Sequence, residues 1–158
     1  MKEIQLTNGG VCIVDDADFE WLSQWKWYGW KHRNTQYARR GDYSNGKATC
    51  VMMHRLILGL TDAKRHCDHV DRNGLNNQRA NLRECSPAQN RMNQGIYKNN
   101  TSGITGVCWY KAYQKYVANI IVGKKPIHIG YFANIEDAKK ARREAELLYF
   151  GDFARVEK

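Results

Sequence analysis

Residues 67–94 read CDHVDRNGLNNQRANLRECSPAQNRMNQ and carry the strongest structural signal in the chain. A polar loop at 71–77 separates two short runs that we expect to be extended. Ser86, followed by Pro87 and then by Gln89, is typical of a helix N-terminus, because serine and glutamine side chains bond backbone N–H groups that are unpaired there. The stretch therefore predicts a strand, a loop, a second strand and a helix.

The same stretch carries the residue types that phosphodiester hydrolysis needs. That reaction requires a base for the attacking water, a Lewis acid on the phosphate and stabilisation of the leaving oxygen. His69 can take the proton, since imidazole titrates near neutral pH. Asp68 and the amide oxygen of Asn90 suit magnesium, a hard cation that keeps several waters, while Asn81 can brace the loop and orient His69. The alternative interpretation is that each of these features, taken alone, has only a structural role, because asparagine-rich loops are commonly turns.

The composition is that of a basic globular protein. Its 158 residues carry a formal net charge of +9 with 42% hydrophobic residues, and no apolar run is long enough for a signal peptide or a membrane span. The excess of Lys and Arg with interleaved aromatic residues favours a nucleic acid over a membrane as partner. The five cysteines include no C-x-x-C pair, so we expect reduced cysteines in a cytosolic protein, without structural zinc or disulfides.

The C-terminal third predicts a three-stranded meander followed by a helix. Residues 96–132 contain five lysines and no acidic residue. Asn134 and Gly151 are typical of the positions just before and just after a helix, which would cover one face of the sheet. Alternation along the middle strand predicts that Val117 and Ile121 face this helix. The expected strands are 105–110, 115–122 and 127–132, and the expected apolar helix positions are Ile135, Ala138, Ala141, Ala145 and Leu148.

The N-terminal part predicts further β structure and a basic surface. Six Lys or Arg residues and one acid lie between 31 and 55, so Arg39, Arg40 and Lys31 are candidate contacts to a nucleic-acid backbone. A solvated edge strand is the alternative for this segment. His54 is either a packed or capping histidine or a group near the scissile phosphate, and the first is favoured beside an apolar stripe. The expected elements are a hairpin at 5–14, a helix at 16–23 and strands at 25–30 and 36–40.

Residues 54–94 resemble the HNH endonucleases of the phage and homing type, on the segments HRLILGL, DHVDRNGLNNQRANLR and SPAQNRMNQ. The resemblance implies that His69 is the general base and that Asn81 is the structural asparagine of the motif. It also implies that Asp68 and Asn90 are the metal ligands. Many members carry histidine where this chain has Asn90, so the chain resembles the H-N-N subgroup, for which Mg²⁺ or Mn²⁺ is expected rather than zinc.

Residues 102–151 resemble the AP2 DNA-binding domain, with the signals TGV, W, K-Y-x-A-x-I, H-I-G-Y-F and A-x-x-A-R in family order. The resemblance implies a sheet that lies in the major groove of DNA. Plant members read DNA largely through sheet arginines, whereas this sheet offers lysines, which suit phosphates better than base edges. The implied contact set is Trp109, Lys111, Tyr113, Lys115, Tyr116, Asn119, Lys125 and His128.

The predicted fold class is α+β, with a ββα-metal HNH core, an N-terminal β-rich region and a C-terminal AP2-like sheet plus helix. The expected boundaries are 1–53, 54–94 for the nuclease core, 95–102 for a linker and 103–154 for the AP2-like domain. The expected function is magnesium-dependent cleavage of double-stranded DNA by a monomer or homodimer, with no membrane or protein partner, in the cytoplasm of a bacterial host or phage-infected cell. A DNA-binding regulator with a vestigial nuclease site and an RNA-directed nuclease are the alternatives.

Overall fold

The computed structural model describes residues 1–32, 35–44, 46–96 and 98–155. Over these residues the protein mixes four α-helices with ten strands, which form four small antiparallel sheets. The α+β class predicted from the sequence is therefore confirmed. The chain divides into two compact units, Met1–Asn90 and Arg91–Lys158. Within the part of the chain that the structure describes, none of the helices combines the length and the apolar character that crossing a membrane requires.

The first unit contains two hairpin-like ribbons, a three-stranded sheet and three helices. The predicted N-terminal hairpin and the following helix are confirmed, but the next strand begins later than expected. It begins at Tyr28 because Trp27 is fully buried instead, with its indole N–H donating to the Leu22 carbonyl at 2.8 Å. The elements are β1 (Lys2–Gln5), β2 (Val11–Val14), α1 (Asp16–Leu22), β3 (Tyr28–His32), β4 (Thr35–Asp42), β5 (Thr49–Met52), α2 (Met53–Ile57), β6 (His66–His69), β7 (Leu82–Cys85) and α3 (Pro87–Met92).

One apolar core joins these elements. It takes Ile4 and Val14 from the hairpin, Leu22 from α1, Met53 from α2 and Leu82 from β7. The loop between β6 and β7 is tied to the same hairpin by backbone bonds, since the Ile13 N–H donates to the Leu75 carbonyl at 2.8 Å. Burial of these side chains is the dominant stabilising contribution, and it holds the β6–β7 ribbon against the N-terminal residues.

The start of α3 agrees with the predicted capping pattern. The Ser86 backbone N–H donates to Gln89 Oε1 at 2.9 Å, and the Gln89 backbone N–H donates to Ser86 Oγ at 3.3 Å. These reciprocal bonds satisfy two N–H groups at the helix start. Only Ser86 separates α3 from β7, and Asn90 of α3 contacts His66 of β6.

The second unit is a meander of β8 (Val107–Tyr110), β9 (Lys115–Val122) and β10 (Lys125–Phe132), followed by α4 (Ile135–Phe150). The meander and helix are confirmed. Asn134 Oδ1 accepts from the Asp137 N–H at 2.8 Å, and Gly151 ends the helix at a φ of 53°. The third strand begins at Lys125 rather than at 127, because the turn needs only Gly123 and Lys124, both at positive φ.

The prediction of which β9 side chains face the helix was wrong. Ala118 packs in one core cluster with Ala138 of α4. Alternation therefore places Val117 and Ile121 on the opposite face, and Ile121 is 66% exposed. Both faces of this strand carry apolar residues, so the pattern alone was ambiguous.

The helix also buries a different set of residues than its apolar spacing predicted. Ala138 and Ala145 are buried as expected, but Leu148 is 76% exposed. The buried face includes an ion pair instead, in which Arg142 Nη1 lies 3.0 Å from Glu146 Oε1. Arg142 Nε also donates to the Thr105 carbonyl at 2.9 Å, so its head group is paired where it is buried.

Candidate functional site

Two of the residues predicted to carry the chemistry, Asp68 and His69, lie at the end of β6, in the antiparallel ribbon with β7. Asp68 stands across from Arg83, and His69 stands across from Leu82. Because neighbouring residues of a strand point to opposite faces, Asp68 and His69 have different neighbours. The site therefore has a carboxylate face and an imidazole face.

The carboxylate face brings Asp68 and Asn90 to the same side of the ribbon. Asp68 is 6% exposed, and Arg83 Nε donates to its Oδ2 at 2.8 Å. Asn90, from α3, has its Nδ2 3.3 Å from Nδ1 of His66, which precedes Asp68 by two residues and so shares its face. Arg83 and His66 were missed from the sequence. His66 lies two residues before Asp68 on the same strand, and Arg83 lies across from it on the neighbouring strand. These positions put both residues on the face of Asp68 and could have identified them.

The imidazole face holds His69 through a buried chain of polar contacts. His69 Nε2 lies 3.1 Å from Asn77 Oδ1, and Asn77 is 0% exposed. The amide of Asn77 in turn donates from Nδ2 to Cys12 Sγ at 2.8 Å, and the Cys12 thiol donates to Met53 Sδ at 3.3 Å. With the Asn77 amide in this orientation, Nε2 of His69 carries its proton and Nδ1 is the basic nitrogen. Asn77 was predicted only as a loop residue.

Two further rings pack on His69. The His54 and His69 ring centroids are 5.1 Å apart, and Tyr37 lies 5.3 Å from His54 and 5.7 Å from His69. Burial lowers the pKa of His54 to about 3, with the charges of His69 and Arg55 acting in the same direction. The favoured interpretation of His54 as a packed histidine agrees with this burial.

The electrostatics of the two faces are linked. Burial lowers the pKa of His69, against the smaller raising effects of the Asn77 contact and of the carboxylates of Asp71 and Asp68. Burial also raises the pKa of Tyr37, and the Asp68 carboxylate acts in the same direction. The Asp68 charge is thus felt by both rings, although its side chain leaves the strand on the other face.

Asn81 braces the loop between the two strands. Its Nδ2 donates to Asp71 Oδ1 at 2.9 Å and to the Asn76 carbonyl at 2.8 Å, while its Oδ1 accepts from the Asp71 N–H at 3.0 Å. The Asn81 carbonyl accepts from the Val70 N–H at 2.9 Å, next to His69. The side chain that contacts the His69 ring is that of Asn77, so Asn81 acts on His69 through the backbone of the loop.

Arg55 ties the segment before β6 into place. Its guanidinium donates to the carbonyls of Leu60 at 3.2 Å, Asp62 at 2.8 Å and Arg65 at 2.6 Å. Three carbonyls that would otherwise need water are thereby satisfied by one side chain. The position of β6, and with it Asp68, depends on this contact.

The donor chemistry of the carboxylate face fits a hard divalent cation. Asp68 and Asn90 provide one carboxylate and one amide oxygen, which is the kind of small oxygen donor set that leaves coordination positions for water. Among the residues described, no group of three or more His, Cys, Asp or Glu side chains has the spacing of a metal site.

The two arginines predicted as backbone contacts lie on β4 over aromatic rings. The Arg39 guanidinium is 4.7 Å from the Tyr28 ring and 4.6 Å from the Trp30 ring. The Arg40 guanidinium is 4.6 Å from the Trp25 ring. Strand register places Arg39 on the same face as Tyr37, which contacts His69. A strip of aromatic and guanidinium groups thus leads toward His69.

In the second unit, part of the predicted contact set shares the sheet face opposite α4. Lys115, Asn119 and His128 are on this face by register, and His128 Nδ1 lies 3.1 Å from Asn119 Oδ1. Tyr113 adjoins it, with its ring 5.0 Å from that of Tyr131. Lys111 lies in the exposed turn before β9. Trp109, Tyr116 and Lys125 alternate onto the other face.

Two tyrosines of this face were missed. Tyr110 stands across from Lys115 and Tyr131 across from Val117, so both project with Lys115 and His128. The Tyr110 ring lies 5.2 Å from that of Tyr113, and the His128 ring lies 4.6 Å from that of Tyr131. All three tyrosines are exposed. The pairing of both residues with β9 was the signal that would have assigned them to this face.

Comparisons with known proteins show a partial likeness to a phage protein. The chain is 44% identical over 46 residues to Protein 3.8 of Escherichia phage T7. The match spans 29% of this chain and 38% of that protein. No family model matches the sequence, and no solved structure matches the chain.

Proposed function

We propose that the chain is a magnesium-dependent HNH DNA endonuclease with an AP2-like DNA-binding unit. The observation that supports the proposal is the end of β6, where Asp68 shares a strand face with His66, the residue that Asn90 contacts, and where a buried amide holds His69. In this proposal the oxygen donors Asp68 and Asn90 come from β6 and α3, and the base His69 is the next residue of β6 after Asp68. The phage relative supports a phage setting for the protein.

His69 is the proposed general base. The Asn77 amide holds its Nε2, so Nδ1 is the nitrogen that takes the proton from the attacking water. Burial lowers the pKa of His69, which keeps the imidazole neutral and able to accept a proton at neutral pH. Asn81 holds the loop that follows His69, and it is a positioning residue.

Asp68 and Asn90 are the proposed metal ligands. Bound Mg²⁺, or Mn²⁺ in its place, would polarise the phosphate and stabilise the leaving oxygen. The chain's own contribution is to present the Asp68 carboxylate on β6 and the Asn90 amide on α3, next to the same ribbon. The chain provides one such site, so a monomer would nick DNA and a homodimer would cut both strands.

Double-stranded DNA is the proposed substrate. Residues 96–132 carry five lysines and no acid, and Lys115 and His128 project from the same sheet face as three exposed tyrosines. Lysines provide phosphate contacts that set affinity and register, while the tyrosine rings provide apolar contact area. Arg39, on the face that leads to His69, is a further phosphate contact in this proposal. The cytoplasm of a bacterial host or phage-infected cell is the proposed location.

Digestion of supercoiled plasmid with and without Mg²⁺ tests the proposal. The wild-type protein is expected to produce nicked or linear DNA only with the metal, and His69→Ala is expected to cut at least ~10²-fold more slowly. His32→Ala is the matched control, because His32 is an exposed histidine of the same unit. Metal-independent DNA binding without cleavage would refute the enzyme and support the DNA-binding regulator. Cleavage of RNA in preference to DNA would refute the substrate.

A further inference from the structure

The Asp68 carboxylate is already engaged by a cation of the chain itself. Arg83 stands directly across from Asp68 in the ribbon, so the two side chains project from the same face. Arg83 Nε and Nη2 both donate to the same oxygen, Oδ2 of Asp68. The Arg83 side chain is 18% exposed, so solvent screens the pair only weakly.

We infer that Arg83 competes with the divalent cation for Asp68 and thereby sets the metal affinity of the site. The inference rests on the proposed function, since it takes Asp68 as a metal ligand. A guanidinium and a divalent cation on one poorly screened carboxylate repel each other, and the oxygen that accepts two N–H donors has little remaining capacity for a metal. A cation that binds Oδ2 therefore requires Arg83 to withdraw from that oxygen, and a cation that binds the other carboxylate oxygen is repelled by the guanidinium beside it.

Asn90, the second proposed ligand, differs from Asp68 because its contact involves the amide nitrogen and not the oxygen that would bind the cation. Asn90 Nδ2 lies 3.3 Å from Nδ1 of the His66 ring. The pair of Arg83 with Asp68 joins two charged groups, and a charge-assisted pair is roughly twice as strong as a neutral hydrogen bond. Arg83 is therefore the residue whose replacement should change metal affinity most.

Arg65 is a matched control on the same ribbon. Its Nε pairs with Glu84, and both side chains are exposed. Glu84 stands across from Cys67, so this pair belongs to the other face of the ribbon from Asp68. Arg65→Gln removes the same unit of positive charge as Arg83→Gln, and it leaves Asp68 with its partner.

Titration of the full-length protein with Mn²⁺ alone, without DNA, tests the inference. Electron paramagnetic resonance of unbound Mn²⁺ gives the dissociation constant. Arg83→Gln is expected to bind Mn²⁺ about tenfold more tightly than wild type, which corresponds to ~1.4 kcal/mol. Arg83→Lys keeps the charge without the planar fork and is expected to lie between them. Arg65→Gln is expected to match wild type within about twofold, and Asp68→Asn is expected to abolish the binding.

The outcomes separate this inference from the proposed function. If wild type shows Asp68-dependent Mn²⁺ binding and Arg83→Gln binds no more tightly than Arg65→Gln, the competition is refuted and the nuclease proposal stands. If wild type shows no Asp68-dependent binding, both are refuted. Circular dichroism confirms that each variant is folded. Should Arg83→Gln be unfolded, Arg83→Lys decides the question by comparison with wild type, which has the same net charge: Mn²⁺ binding no tighter than that of wild type refutes the competition.

Discussion

Replacement of His54 by phenylalanine is expected to change how the stability of the first unit depends on pH. His54 is buried against the rings of Tyr37 and His69, and its Nδ1 has no hydrogen-bond partner among the residues described. An imidazole in such a place resists protonation, because burial penalises the charged form. Burial accordingly lowers the pKa of His54 from 6.5 to about 3 in the folded protein. Phenylalanine keeps a ring at this position but cannot take up a proton.

The sign of the effect follows from where the proton binds. Between about pH 3 and 6.5 the unfolded chain protonates at His54 and the folded protein does not. Unfolding then takes up a proton. The stability that neutral His54 contributes is therefore fully present above its pKa of 6.5 in the unfolded chain, and it is lost as the pH falls through this window. For one such group the free energy of unfolding changes by up to about 1.4 kcal/mol per pH unit. From about pH 7 to pH 5 the wild-type protein should lose about 2 kcal/mol from this group alone.

Urea unfolding followed by tryptophan fluorescence measures the effect. Four of the five tryptophans lie in the first unit, so the signal reports mainly on that unit. The free energy of unfolding of His54→Phe, relative to wild type, should rise by about 2 kcal/mol between pH 7 and pH 5. His32→Phe is the control, because its imidazole is exposed in the folded protein and should add no such change. An unchanged difference between His54→Phe and wild type at the two pH values would refute the reasoning.

Three further predictions concern the base, the loop and the sheet. Asn77→Leu removes the acceptor of His69 Nε2 and should slow plasmid cleavage by about 10- to 100-fold. In a His69→Ala background Asn77→Leu should cause no further slowing, and a further slowing there would contradict a positioning role. Gly74→Ala would place a Cβ 2.5 Å from the Gln36 carbonyl oxygen and should lower the free energy of unfolding in urea by about 1–3 kcal/mol, whereas Gly95→Ala, with nothing within 4 Å, should not. Lys115→Gln should reduce the slope of log affinity against log salt by about one unit, as measured by fluorescence anisotropy with duplex DNA, and an equal slope would exclude Lys115 as a phosphate contact.

The elements that the sequence predicted well are those whose signals are local. The helix start at Ser86 and Gln89, and the helix limits at Asn134 and Gly151, depend on side chains that bond backbone groups within a few residues. The N-terminal hairpin follows from the flexible Asn8-Gly9-Gly10 segment in the same way. Such contacts form whatever the rest of the chain does, so a short pattern suffices to predict them.

The face of a strand was harder to predict where both faces are apolar. Ala118 and Ile120 lie on one face of β9 and Ile121 lies on the other, so the alternation of apolar residues fits either face as the one that packs on α4. The register with β10 decides between them, including the irregularity between His128 and Gly130. That register is a property of paired strands, and a single strand's sequence does not contain it.

The sequence by itself determined the order of elements apart from β5, the basic charge and the candidate residues Asp68, His69, Asn81 and Asn90, because these rest on residue types and short spacings. Only the tertiary structure decided which groups those residues meet. Arg83 of the neighbouring strand pairs with the Asp68 carboxylate. The His69 ring contacts a loop residue, a sheet residue and a helix residue, which lie up to several tens of positions away in the sequence. Burial of the common apolar core brings these segments together, and long-range packing of that kind leaves no local pattern in the sequence.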